Sequence, residues 1–207
     1  SGATKYEVYR STKYDTGYIK LGETTNTSYT SNNLTPGKTY YYKIKVAGGN
    51  TYSKIVNCPL PLSKPSYLGI EKPTPNSIKV SWREVENTIK YEIYRSTKYD
   101  TGYVKIGATT STSYTSNNLA QGKTYYYKIK AIGSSVAASS EYSSIVKATL
   151  LLDKPTITVY SPESGAIKVS WSIVSGATKY EVYRSTKYDT GYVKVGETTG
   201  TSYTSKG

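Results

Sequence analysis

Apolar and polar residues alternate with a period of two along most of the chain. From Ser77 to Arg83 the residues Ile78, Val80 and Trp82 fall on one face, with Lys79 and Ser81 on the other. Tyr91 and Ile93 repeat the pattern, and so do Tyr125, Tyr127, Ile129 and Ala131. This period belongs to strands with one buried face, and no stretch carries a helical period. Shorter strands are predicted at Pro65–Ile70, around Val104 and Ile106, at Tyr114, and from Tyr142 to Ala148. Seven short strands separated by Gly, Asn and Pro turns predict an all-β sandwich.

The pattern occurs three times. Lys5–Tyr18 returns unchanged as Lys179–Tyr192, and as Lys90–Tyr103 with Ile93 in place of Val8. A unit of this length is a small domain rather than a solenoid repeat. Leu60–Pro65 and Leu150–Pro155 read as short, stiff linkers whose apolar residues wedge between neighbours. The flanking copies read as partial. Ser1–Thr4 matches Ser175–Thr178, so the first copy lacks the counterpart of Pro65–Glu86, and the last stops before the counterpart of Leu119–Ala148. The expected domains are 1–62, lacking its first two strands; 63–152, complete; and 153–207, lacking its last two. Such ends fit a slice of a longer array, or strand exchange between chains. The duplication of Lys5–Ser31 as Lys179–Ser205 favours the slice.

The unit resembles a fibronectin type III domain. Trp82 and Trp171 stand where that family keeps a core Trp on its second strand. Leu34-Thr35-Pro36-Gly37-Lys38-Thr39-Tyr40 is similar to its Leu-x-Pro-Gly-x-x-Tyr corner, and Leu119–Tyr125 follows it with Gln121 for Pro. The resemblance implies a structural core that includes Leu34, Tyr40, Trp82, Leu119, Tyr125 and Trp171. The wording of the repeats resembles tandem modules of secreted or wall-attached proteins of Gram-positive bacteria. That resemblance implies an extracellular, cell-surface role as spacer, stalk, fibre or adhesive segment.

Composition narrows the chemistry. There is no His and one Cys, so imidazole catalysis, an internal disulfide and a thiolate metal cage are excluded. Leu, Ile, Val and Phe make up only about 18% of the chain, below the compositional mark of about 20% for disorder. The strict alternation overrides that mark, and 25 Tyr are expected to fill the core in place of Phe and Leu. No apolar run approaches the roughly 18 residues of a membrane span. No cofactor or metal is expected, and no enzyme activity.

The outward positions carry the remaining candidate. Tyr94, Tyr103, Lys105, Tyr126, Lys128 and Lys130 are predicted to share one sheet face, repeated in the first copy by Tyr9, Tyr18, Lys20, Tyr41, Lys43 and Lys45. Such a face could bind a glycan or an anionic wall polymer through ring stacking and ammonium charge. It equally suits a solvated sheet surface, since Tyr favours strands and Lys discourages edge pairing. The net charge of +13 is spread evenly over the repeats with no basic stripe, which argues against nucleic acid. The expected partners are neighbouring repeats, with self-assembly into a filament as a further reading. A role in an accessory region of a secreted glycan hydrolase is the other alternative. Glu92 and Asp100 each recur at equivalent positions, which suits structure; the Asp is expected to bond the turn before Thr-Gly. Cys58 aligns with Ala148, a buried site by default.

Overall fold

A computed structural model describes residues 2, 4–134 and 138–206. The described residues form strands only: β1 (Tyr6–Ser11), β2 (Ile19–Thr24), β3 (Thr39–Val46), β4 (Val56–Pro59), β5 (Gly69–Glu71), β6 (Ile78–Ser81), β7 (Lys90–Ser96), β8 (Val104–Thr109), β9 (Ser113–Ser116), β10 (Thr124–Ile132), β11 (Val146–Thr149), β12 (Ile157–Glu163), β13 (Ala166–Trp171), β14 (Tyr180–Arg184), β15 (Val193–Thr198) and β16 (Ser202–Lys206). By spatial clustering the chain divides into two compact units. One comprises Ser1–Ile70, Val80–Tyr114 and Tyr126–Val146; the other comprises Glu71–Lys79, Thr115–Tyr125 and Lys147–Gly207.

The middle repeat has one sheet in the order β11-β10-β7-β8 and another in the order β5-β6-β9. The first repeat has β2-β1-β3-β4, and the last has β12-β13-β16 with the pair β14-β15. The strand pairings are antiparallel, and each hairpin β1–β2, β7–β8 and β14–β15 carries the same bulge, at Val8/Tyr9, Ile93/Tyr94 and Val182/Tyr183. This is the all-β sandwich architecture that the alternation predicts, in the tandem type III-like form that the resemblance implies. Two strands are shorter than expected. The opening strand begins at Gly69 rather than Pro65, and the closing one at Val146, with Tyr142 joined to Lys130 by a single bridge.

Alternation becomes burial most clearly in the middle repeat. Ile78, Val80, Ile93, Tyr127, Ile129 and Ala131 are completely buried, and Trp82 and Tyr91 nearly so. The Trp82 and Tyr91 rings meet edge to face with centroids 5.1 Å apart. Tyrosine contributes less to the core than its abundance suggests. Among the described residues only Tyr40, Tyr91, Tyr125 and Tyr127 are buried; the aliphatic strands do most of the filling. The phenol oxygen explains the difference, because each buried hydroxyl needs a partner.

Several of those partners are backbone groups. The Tyr40 hydroxyl accepts from the Thr35 amide at 2.9 Å, and Tyr125 accepts from Ala120 at 2.9 Å. The substitution of Gln121 for Pro therefore leaves the corner intact. Tyr91 caps the Val85 amide at 2.9 Å, and Tyr180 caps Val174 at 2.9 Å.

Of the structural core, Trp82, Leu119, Tyr125 and Tyr40 are buried, whereas Leu34 and Trp171 are only half-buried. Cys58 departs from expectation: it is exposed, although its counterpart Ala148 is buried. The described part of the first repeat has one sheet, so nothing faces it there. The turns after β1, β7 and β14 also differ from expectation. Their bonds come from serine rather than aspartate: Ser11, Ser96 and Ser185 donate to the carbonyls of Thr16, Thr101 and Thr190, and accept from the amides of Lys13, Lys98 and Lys187.

The linkers are pinned at both ends of the middle repeat. Gly37 donates to Leu60 and Leu60 to Lys38, at 3.0 and 2.9 Å; Gly122 and Leu150 repeat the exchange with Lys123, at 2.7 and 3.0 Å. Gly37 (φ 78°) lies under Leu62 and Asn87, while Gly122 (φ 71°) lies under Leu152. Asn87 donates to the Pro36 carbonyl at 3.1 Å. In the second joint Gly176 replaces Asn87 and Gln121 replaces Pro36, with Gln121 donating to Asp153 at 2.9 Å.

Candidate functional site

The bulged hairpin β7–β8 and its neighbour β10 bring the outward residues together. Tyr94 lies opposite Lys128 in the β7–β10 ladder and opposite Lys105 in the β7–β8 ladder; Glu92 lies opposite Lys130. All six candidate residues, Tyr94, Tyr103, Lys105, Tyr126, Lys128 and Lys130, lie on or beside these strands.

Their polar ends are turned on one another. The Lys128 ammonium sits between two rings, 4.4 Å from the centroid of Tyr103 and 4.0 Å from that of Tyr142. Lys130 approaches the same Tyr142 ring at 5.5 Å. Tyr142 meets Tyr94 edge to face at 5.1 Å, and Tyr126 meets Tyr99 at 5.7 Å. Glu92 accepts from the Tyr94 hydroxyl at 2.8 Å and pairs with Lys105.

The first repeat builds the same arrangement. Lys43 sits between Tyr18 and Tyr52 at 4.2 and 4.1 Å, Tyr52 meets Tyr9 at 5.2 Å, and Tyr41 meets Tyr14 at 5.7 Å. Glu7 accepts from Tyr9 at 2.8 Å, and pairs with Lys20 at 2.7 Å and Lys45 at 3.2 Å. The last repeat holds half of it: Glu181 accepts from Tyr183 at 2.9 Å and pairs with Lys194 at 2.8 Å.

These contacts move the titrations as expected. The Lys20 ammonium, helped by the Tyr9 hydroxyl, holds the Glu7 carboxyl down to about 2. Lys105 lowers Glu92 in the same way. Burial raises the Tyr94 phenol, with the Glu92 bond adding to the effect, and burial raises Tyr103.

Tyr142 and Tyr52 were missed in the sequence as members of this face. The signal was available: they align with each other, each followed by Ser and, two residues later, by Ile-Val. Among the described residues no group of three or more His, Cys, Asp or Glu side chains could hold a metal ion. No helix among them is long and apolar enough to cross a membrane.

Such repeated sandwiches, with a Tyr corner and a second-strand Trp, define a modular all-β class of fold. The fibronectin type III family profile matches residues 63–148, and this segment is a fibronectin type III domain. The chain is 27% identical over 237 residues to exoglucanase B of Cellulomonas fimi, covering 99% of this chain and 20% of that protein. It is 34% identical over 87 residues to a poly(3-hydroxybutyrate) depolymerase of Ralstonia pickettii, covering 42% of this chain and 16% of that one. The chain thus spans a fifth or less of the length of these relatives. Among solved structures, an Fn3-like protein from Clostridium thermocellum is 28% identical, with a TM-score of 0.37, over 40% of this chain and 86% of that one. The chicken CNTN1 FN1–FN3 domains are 14% identical, with a TM-score of 0.40, over 98% and 78%.

Proposed function

We propose that the chain is a non-catalytic tandem spacer, divided near residues 62 and 152, in a larger extracellular bacterial protein. The names of the relatives, an exoglucanase and a poly(3-hydroxybutyrate) depolymerase, support a setting beside the catalytic part of a polymer-degrading enzyme, where the modules would set the distance between working domains. One observation carries it. The face best suited to binding is closed on itself, with each central ammonium held between two rings and the glutamate paired. A ligand would have to displace those contacts, which are worth about 0.5–1 kcal/mol per ring at exposed sites and about 2 kcal/mol when desolvated. The same arrangement in two repeats fits a device that ties the outer strands of each sheet together.

Co-sedimentation with purified anionic wall polymer and with insoluble glucan tests this reading. No saturable retention is expected at low salt. Saturable retention that disappears in the Tyr94→Ala, Tyr126→Ala variant would replace the spacer by a binding module.

A further inference from the structure

Tyr67 is a residue of the middle repeat that the sandwich itself does not use. Thr156 accepts from the Ser172 amide at 2.9 Å, and Ser66 accepts from the Arg83 amide at 3.0 Å, so these two positions are equivalent. Two steps after Thr156, Thr158 pairs with Ser170. In the middle repeat the counterpart of Thr158 is Gly69, where a methyl group would lie 2.6 Å from the Ser81 side chain. Gly69 is three steps after Ser66, so one residue is added between them. Tyr67 takes up that bulge in the left-handed region, at φ 51°. The other non-glycine residues with positive φ among the described ones are Asn33, Asn87 and Asn118. Asn visits that region readily, whereas a bulky side chain enters it against steric strain. The conformation turns the ring outward, where it is 77% exposed.

The ring is backed by charge. The Arg83 guanidinium lies over it, 4.6 Å from the centroid. Arg83 also lines a groove of about 300 Å³, together with Ser63, Lys64, Ser66, Glu84 and Glu86. That volume falls at the lower end of the range for small-ligand sites. Among the described residues none of Lys64, Arg83, Glu84 and Glu86 forms an ion pair. Glu7, Glu92 and Glu181 on the sheet face each hold a lysine instead. Two cations and two anions cancel, so the groove offers charged donors and acceptors without a net field. A polyanion or a polycation would meet one repelling pair. A hydroxyl group both donates and accepts, and so can use both signs.

We propose that Tyr67 and this groove form a subsite for a short neutral oligosaccharide. A pyranose lays its C–H face on the open side of the ring, whose π-face is negative. Its hydroxyls bond the serines, the carboxylates and the cations alongside. The strained backbone holds the ring clear of the sheet for that contact. The subsite goes beyond the spacer reading. One ring and one small groove bury little of a ligand, so a dissociation constant on the order of 1 mM is expected. Binding of that strength does not retain the chain on a pelleted polymer.

The test is saturation-transfer NMR on the full chain, read on the protons of soluble probes. Cellohexaose and maltohexaose serve as neutral sugars, and an oligogalacturonic acid of similar length as the acidic one. Saturable transfer to at least one neutral probe is expected, and less to the acidic one. Tyr67→Asn removes the ring and keeps the backbone, because Asn33, Asn87 and Asn118 already hold that conformation. This variant is expected to lose the transfer with its thermal midpoint unchanged, and Tyr67→Phe to retain both. No saturable transfer to either neutral probe, stronger transfer to the acidic one, transfer that survives in Tyr67→Asn, or a marked fall of that variant's midpoint would overturn the subsite. Such a failure leaves the spacer reading standing, since that rests on polymer sedimentation and on Tyr94 and Tyr126.

Discussion

Gly107 shows how one residue sets local packing. A methyl group there would lie 2.6 Å from the Tyr114 ring, and the Tyr114 hydroxyl donates to the Ile106 carbonyl at 3.0 Å. The ring thus lies over a position that needs no side chain. Gly196 and Tyr203 repeat the contact at 2.5 Å, while Gly22 and Tyr29 are looser at 3.2 Å. Gly107→Ala is expected to destabilise the protein by about 1–3 kcal/mol through overpacking, and Gly22→Ala by less. Urea denaturation of the two variants checks the order. Tyr114 was legible as a strand residue, but its resting place on Gly107 was not. Alternation says which face a ring takes, not which backbone it covers.

Cross-strand pairs act at the scale of the element. Glu7 on β1 bonds Lys20 on β2 and Lys45 on β3, so one carboxylate ties three strands. Its pKa lies near 2 against an ordinary value of 4.5. A depressed carboxyl contributes stability above its unfolded pKa and loses it as the pH falls through the folded one. The thermal midpoint is therefore expected to fall between about pH 4.5 and pH 2, and Glu7→Gln to flatten that slope. Added salt should reduce the effect, because the pairs lie at the surface. The strands, the bulged hairpins and the shared Tyr/Lys face were readable from the period of two and the repeat. The lysine held between two rings was not, because its second ring comes from Tyr142, outside the main strands, through one bridge.

At the scale of the whole molecule, the joints follow the same design twice. Gly176 has φ 83°, and a methyl group there would lie 2.8 Å from the Gln121 carbonyl oxygen. Gly176→Ala is expected to open this joint and to speed proteolysis within residues 150–155. Limited digestion followed by mass spectrometry reads the change. The linkers were recognisable from their Leu and Pro, yet the asparagine and glycine that receive them were not, since the contacts span 51 residues from Pro36 to Asn87 and 55 from Gln121 to Gly176.

The sequence by itself determined the all-β class, the three copies and the inward and outward faces. Those follow from strand geometry and from self-similarity, which are local properties of the chain. Only the tertiary structure decided which tyrosines are buried, why Cys58 is exposed, and how the lysines are enclosed. Those depend on which surfaces meet, and a residue such as Ile44 is core or surface according to whether a second sheet covers it.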